Sequence, residues 1–325
     1  MLGSTTAFQN VTGRAAQATF TNPIKSTDGS DPFMVYIGPY YYLTTTTWTN
    51  VQITRATTIE GLKTGEVMTA YTSTVSSRCC NVWAPEIHYV NGRWYIYFVA
   101  GQSGNTNNQF IQVLEGPTDI PWGSYTYIAT INIPNHNVWS IDPTILVLPS
   151  GQYLVYSSFQ GSLQSLWIAY MTSPTTVGNA VLISEPTLSW ETETAPVNEG
   201  PVALYHGGRT WLFYSASACW GNYKLGRLEL TGSNPLSASS WTKHPDPVFV
   251  AANGYVIIFT PPGHNYFFIA PNGVDIWNVF HASPTSNVLC DGSRKTFVQP
   301  VTWNSDGTPS LGSPIAPGVA QNEPT

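Results

Sequence analysis

Charge is what this sequence has least of. Asp, Glu, Lys and Arg make up 9% of its 325 residues, against about 25% in an average soluble domain. The net charge is −6 and no basic cluster interrupts the chain, which excludes the phosphate-neutralising surface of a nucleic-acid binder. No apolar run approaches the roughly 18 residues of a membrane span, so no membrane partner is expected. The opening MLGSTTAFQN lacks a basic stretch followed by an apolar one, so no signal peptide is read there. Scarce lysine and the sequon Asn10-Val11-Thr12 favour a mature secreted chain whose signal has been removed. C-x-x-C, H-x-x-x-H, G-x-S-x-G and Gly-rich phosphate-loop patterns are all missing, which argues against catalytic zinc, a serine nucleophile elbow and a nucleotide site. Helix signals are nearly absent too, with TTIEGLKTGEVM (57–68) the one candidate for a short helical turn.

Aromatic residues fill part of the gap: 12 Trp, 18 Tyr and 13 Phe. A polar but weakly ionic, aromatic-rich surface suits a neutral, hydroxyl-rich ligand such as a sugar, whose C–H faces stack on rings. Most of these rings are expected simply to pack β-sheets. The four cysteines, Cys79, Cys80, Cys219 and Cys290, allow three pairings. A vicinal Cys79–Cys80 bridge would leave Cys219 to meet Cys290; four buried thiols are the alternative.

A repeat organises the chain. DPFMVYIGPYYYLTTT begins at Asp31, APEIHYVNGRWYIYFVA at Ala84, DPTILVLPSGQYLVYSS at Asp142 and EGPVALYHGGRTWLFYSAS at Glu199, with a degenerate copy, GYVIIFTPPGHNYFFIA, from Gly254. Each reads as acid or Pro, strand, Gly- or Pro-containing turn, then an aromatic-rich strand. The steps Asp31 to Glu86, Asp142, Glu199 and Gly254 are 55, 56, 57 and 55 positions. That period fits four strands per unit, the content of a propeller blade. The expected fold is all-β: one five-bladed β-propeller domain over 1–325, with blades beginning near 31, 84, 142, 199 and 254. Inner strands of a propeller open on one face, so Asp31, Asp142 and Glu199 are expected to converge on one pocket.

Three carboxylates around an uncharged, aromatic-lined pocket suggest glycoside hydrolysis. An inverting enzyme needs a carboxylate base for the water and a protonated acid for the leaving oxygen, about 6.5–9.5 Å apart. A third carboxylate nearby would keep the acid protonated by like-charge repulsion.

These segments resemble glycoside hydrolase family 43, whose members are five-bladed propellers with an Asp, Asp, Glu set. The likeness runs from about Asp31 to Pro309. SDPFMVYIGPYYYL is similar to the first-blade segment carrying the general base, which falls on Asp31. SIDPTILVLPSGQYLVYSS is similar to the segment whose Asp tunes the acid, here Asp142, and NEGPVALYHGGRTWLFYSAS to that carrying the general acid, Glu199. NVWAPEIHYVNGRWYIYF resembles the second-blade signature, where Trp83 is a sugar-contacting candidate and Glu86 takes no part in proton transfer. TPPGHNYFF resembles a segment whose histidine helps hold a hydrated cation, often calcium, in the channel, which implies that role for His264. Calcium prefers oxygen, so water would supply most of its shell; a hydrogen-bonded histidine without metal is the other possibility. SRKTFVQPVTWNSDGTP resembles the closing segment, from which Arg294 would reach the pocket floor and, beside Asp142, keep that Asp ionised. Trp139, Phe159 and Trp220 flank the acidic segments and either shape sugar subsites or pack. His88, His206, His136, His281 and His244 carry no ligand spacing.

The resemblance implies a secreted, monomeric, inverting enzyme acting on plant-wall polysaccharide. SSRCCNVWAPEIH and VNEGPVALYHGGRTWLFYSAS look most like the single-domain exo-acting α-L-arabinofuranosidases, hence release of terminal arabinose from α-1,5-arabinan. The alternatives are endo-arabinanase, β-xylosidase and a carbohydrate-binding propeller without catalysis. Acids that differ by blade favour one composite active site over a binding site repeated in every blade.

Overall fold

The computed structural model describes residues 17–251, 262–283 and 289–325. Its strands form five blade sheets in a ring. Blade 1 is built from Phe33–Ile37, Tyr40–Thr44, Asn50–Ala56 and Glu66–Thr72, and blade 2 from Cys80–Val90, Arg93–Gln102, Asn105–Glu115 and Thr126–Thr130. Blade 3 comprises Ser140–Leu148, Gly151–Gln160, Leu163–Ser173 and Thr176–Ser184, and blade 4 Asn198–His206, Arg209–Ala216, Lys224–Leu230 and Trp241–Lys243. Blade 5 shows Gly263–Ile269, Ile276–Ala282 and Lys295–Pro300. Every blade is an antiparallel meander. The expected five-bladed propeller is therefore observed, and the helical turn expected over 57–68 is a 3-10 helix at Glu60–Thr64. The sequon at Asn10 and the expected fifth-blade start at Gly254 lie outside the described residues.

Turn chemistry sets the inner hairpins. Asn91-Gly92 and Gly207-Gly208 take positive φ at both positions (50° and 86°, 56° and 76°), the conformation that matches strand twist in two-residue loops. The strand after each turn is apolar on both faces because a blade lies between two others. Tyr153 and Val155 belong to the cluster shared with blade 4, whereas Leu154 and Tyr156 belong to that shared with blade 2. The same alternation sends Trp211 and Phe213 toward blade 5 and Leu212 and Tyr214 toward blade 3. One apolar cluster fills each of the five interfaces between neighbouring blades.

The ring closes through its first segment. Ile24 N–H donates to Thr296 O at 2.9 Å, Thr296 N–H to Lys25 O at 3.0 Å, and Gly29 N–H to Arg294 O at 3.0 Å. Asn22 holds both backbone groups of Val298 through its side-chain amide. The chain leading into Asp31 thus runs along the outer strand of blade 5, and Arg294 is brought beside the start of blade 1.

Candidate active site

Each inner strand carries a two-residue interruption at its entrance. The ladders skip Ala84-Pro85, Asp142-Pro143, Gly200-Pro201 and His264-Asn265, and Asp31-Pro32 precedes the first paired residue of blade 1. Proline fits there because it has no N–H to offer the ladder. The first residue of each of these pairs is left-handed in every blade: Asp31 φ 53°, Ala84 φ 44°, Asp142 φ 54°, Gly200 φ 55° and His264 φ 41°. Such a conformation costs about 1–3 kcal/mol at a non-glycine residue and concentrates at functional sites. Here it aligns Asp31, Asp142 and His264 in one ring, with Glu199 just ahead of Gly200.

One cavity of about 450 Å³ opens above this ring, within the range of small-molecule sites. Asp31, Asp142, Glu199, Trp83, Trp139, Phe159, Trp220, Arg294 and His264 all line it, so the structure brings every residue singled out from the sequence to one place. All five blades contribute walls. Trp139 and Phe159 rings lie 4.8 Å apart, with the Trp139 indole N–H donating to Thr106 O at 2.8 Å. Trp220 is 55% and Phe159 43% exposed, so their faces are open at the rim. Trp83 meets Trp48 edge-on at 6.3 Å.

The carboxylates differ in their surroundings. Burial by itself would raise the proton affinity of Asp31, but Arg294, His264 and His281, with a Thr46 hydrogen bond, hold it well below the usual carboxylate range. Arg294 Nη1 lies 3.2 Å from Asp31 Oδ1, and Thr46 Oγ1 donates to Oδ2 at 2.6 Å while accepting the Ala84 N–H at 2.8 Å. Asp142 is pushed up to about 7 by burial, then by the charges of Glu199 and Asp31, against His264 and the Gly200 N–H at 2.9 Å. Glu199 is raised by burial and by Asp31, opposed by hydrogen bonds from Tyr223 and Gln164 and by His264.

Arg294 therefore serves Asp31, where a place beside Asp142 was expected. The cause is ring closure, which joins its strand to the segment before Asp31. The histidines divide. His264, although buried, has its affinity raised by Asp142, Asp31 and Glu199, whereas burial, Arg294 and His264 keep His281 neutral against Asp31. His281 Nδ1 accepts the Asp31 N–H at 3.1 Å.

Asp31 Oδ1 lies 3.4 Å and Asp142 Oδ2 3.8 Å from His264 Nδ1. Carboxylates on one ring nitrogen orient a histidine whose other nitrogen ligates a metal. Among the described residues no group of three or more His, Cys, Asp or Glu side chains could hold a metal ion. The side chains thus fit only a cation with one protein ligand and water for the rest of its shell.

Sequence reading missed Trp48, Gln164 and Tyr223 in the wall, and His281 and Thr46 behind Asp31. No motif marks them; His281 was visible only as an unpaired histidine. Glu86 pairs with His88 at 2.6 Å. Both disulfides are formed: Cys79–Cys80 in the turn entering blade 2, and Cys219–Cys290 in the cavity wall.

The profile of glycosyl hydrolases family 43 matches residues 20–309. An extracellular exo-alpha-(1->5)-L-arabinofuranosidase of Streptomyces avermitilis is 38% identical over 316 residues, covering 93% of this chain and 65% of that protein. Alpha-L-arabinofuranosidase 43 of Humicola insolens is 36% identical, over 89% of this chain and 62% of its own length. The chain thus spans slightly less than two thirds of each of these relatives. Among solved structures, an alpha-L-arabinofuranosidase from Lactobacillus brevis superimposes with a TM-score of 0.84 at 30% identity, over 92% of this chain and 98% of that one.

Proposed function

The chain belongs to glycosyl hydrolases family 43, and from that premise we propose that it is an inverting α-L-arabinofuranosidase. It would release terminal L-arabinofuranose from α-1,5-arabinan or arabino-oligosaccharides. One observation carries the reading: a single cavity holds Asp31, kept ionised by Arg294, and Glu199, made a weaker acid by burial. Asp31 takes a proton from water as that water attacks the anomeric carbon. Glu199 gives its proton to the glycosidic oxygen, which leaves with the bonding pair. Asp142 tunes that acid as a neighbouring carboxyl, each opposing ionisation of the other, and its bond to Gly200 N–H ties it to the strand bearing Glu199. Trp83, Trp139, Phe159 and Trp220 offer ring faces to the sugar. Walls from every blade suit a chain end better than a polymer passing through.

The site is completed by one chain, which agrees with action as a monomer on a neutral polysaccharide. Two disulfides agree with an oxidising, secreted setting, and the S. avermitilis relative is named extracellular. Calcium enters the proposal as a structural ion on His264 and water; no chemical step passes through it. Its test is chelation, which should lower the melting temperature in a way calcium restores. An unchanged melting temperature and metal-free protein would remove the ion from the account. The activity is tested with paired chromogenic arabinofuranoside and xyloside, and by early proton NMR of the product. Arabinose released first with inverted anomeric configuration is expected; retention, or preference for the xyloside, would overturn the reading.

A further inference from the structure

We propose that Tyr223 and Gln164 are positioning residues that clamp both oxygens of Glu199 as hydrogen-bond donors and so turn its proton toward the cavity. The inference rests on the reading of Glu199 as the general acid. Tyr223 O–H donates to Oε1 at 2.8 Å and Gln164 Nε2 donates to Oε2 at 2.8 Å. Neither residue belongs to the acidic set, and each is anchored by a further hydrogen-bond chain.

The first chain starts at a backbone N–H. His264 N–H donates to Ser215 Oγ at 2.7 Å, and the Ser215 side chain hydrogen-bonds Tyr223 in turn. An ionised Glu199 only accepts, so Tyr223 turns its single proton to that carboxylate and receives the Ser215 hydroxyl proton on its own oxygen. The His264 N–H occupies one lone pair of Ser215 Oγ and leaves the hydroxyl proton free for Tyr223. The second chain ends at a carbonyl. Gln164 Nε2 also donates to Ser157 Oγ at 3.1 Å, and Ser157 O–H donates to Asn198 O at 2.8 Å. A carbonyl never donates, so Ser157 must receive from Gln164, and the amide nitrogen rather than its oxygen faces Glu199.

Packing fixes both side chains. Tyr223 is 2% exposed and stacks on His281 at 5.7 Å with 11° between the planes. A Cβ at residue 263 would lie 1.9 Å from the Tyr223 ring, so this ring has its place only because Gly263 has no side chain. Gln164 is held through its own N–H, which donates to Pro196 O at 3.1 Å beside the strand that carries Glu199. As the proton leaves Glu199 for the glycosidic oxygen, negative charge develops on a carboxylate already facing two oriented donors. Nothing has to reorganise at that moment, the condition under which such donors accelerate a reaction.

The test compares a natural linkage with a leaving group that needs no proton. Tyr223→Phe keeps the ring and its stack, and Gln164→Met keeps the length of the side chain. Each is assayed on α-1,5-arabinobiose and on dinitrophenyl α-L-arabinofuranoside, with Glu199→Gln alongside. Each should lower kcat on the disaccharide about tenfold to a hundredfold, with KM moving less than about twofold, and recover most of that loss on the dinitrophenyl substrate. If Glu199→Gln keeps turnover on both, the acid assignment itself fails. If Glu199→Gln shows the leaving-group dependence but Tyr223→Phe and Gln164→Met lose equally on both substrates, or lose nothing, the clamp is overturned. Should Tyr223→Phe not fold, Gln164→Met decides the matter alone.

Discussion

Asp142 is buried and Glu199 partly open to the cavity that both line, and their different duties show when each loses its charge. Glu199→Gln removes the proton given to the leaving oxygen. Turnover on arabino-oligosaccharides should fall by about 10²–10⁴ with binding retained, measured as kcat and KM, and an activated leaving group should restore most of it. Asp142→Asn acts on stability instead. Its carboxyl binds a proton more tightly folded than unfolded, so its contribution is complete below the unfolded value, near 4. It is lost as pH rises through about 7. The Asn variant should therefore gain melting temperature over the wild type more at pH 8 than at pH 4.5. A gain equal at both values would show that the buried charge is not what costs stability. The acids themselves were legible because each stands beside Pro or Gly-Pro at a repeat boundary. Tyr223 and His281 were not, since an aromatic and a histidine in a loop and a second strand look like packing until their partners are known.

At the scale of the strand, the informative unit is the left-handed residue that opens each blade. The Asp-Pro pairs were visible in the sequence, but the alignment treated Glu86 and Glu199 as equivalents of Asp31. In the structure that place is held by Ala84, where the second copy begins, and by Gly200, one position after Glu199. In blade 5 the equivalent residue is His264, which carries no acid and so gave no signal for alignment. Gly200 shows what the position demands. Its φ of 55° favours glycine, and an added Cβ would sit 3.0 Å from His264 Cγ. Gly200→Ala should cost about 1–3 kcal/mol in denaturant unfolding. It should also lower kcat, because His264 would have to move. Full activity in that variant would mean that the entrance geometry tolerates more freedom than the clash implies.

Across the whole molecule, a ring of blades is only as firm as its closure, and here the closure lies next to the chemistry. The outer strand of blade 5 holds the segment before Asp31 and follows directly on Arg294, so a loosened seam would separate a base from the cation that keeps it ionised. Cys219–Cys290 crosses from blade 4 to the loop before Arg294, spanning 71 residues, and lines the cavity beside Trp220. The sequence offered this pairing only as one of two possibilities, because cysteine count does not reveal which loops a ring brings together. Cross-linking a loop of that length should stabilise by about 4 kcal/mol, chiefly by restricting the unfolded chain. Replacing both cysteines by serine should lower the unfolding free energy by roughly that amount. If the bridge also holds the rim, KM should rise more than kcat falls, because Trp220 and Arg294 would be displaced before the acids on their inner strands are. A variant that loses stability but keeps its KM would reduce the bridge to a fastening for the fold, and would place the control of Asp31 in the seam of backbone hydrogen bonds alone.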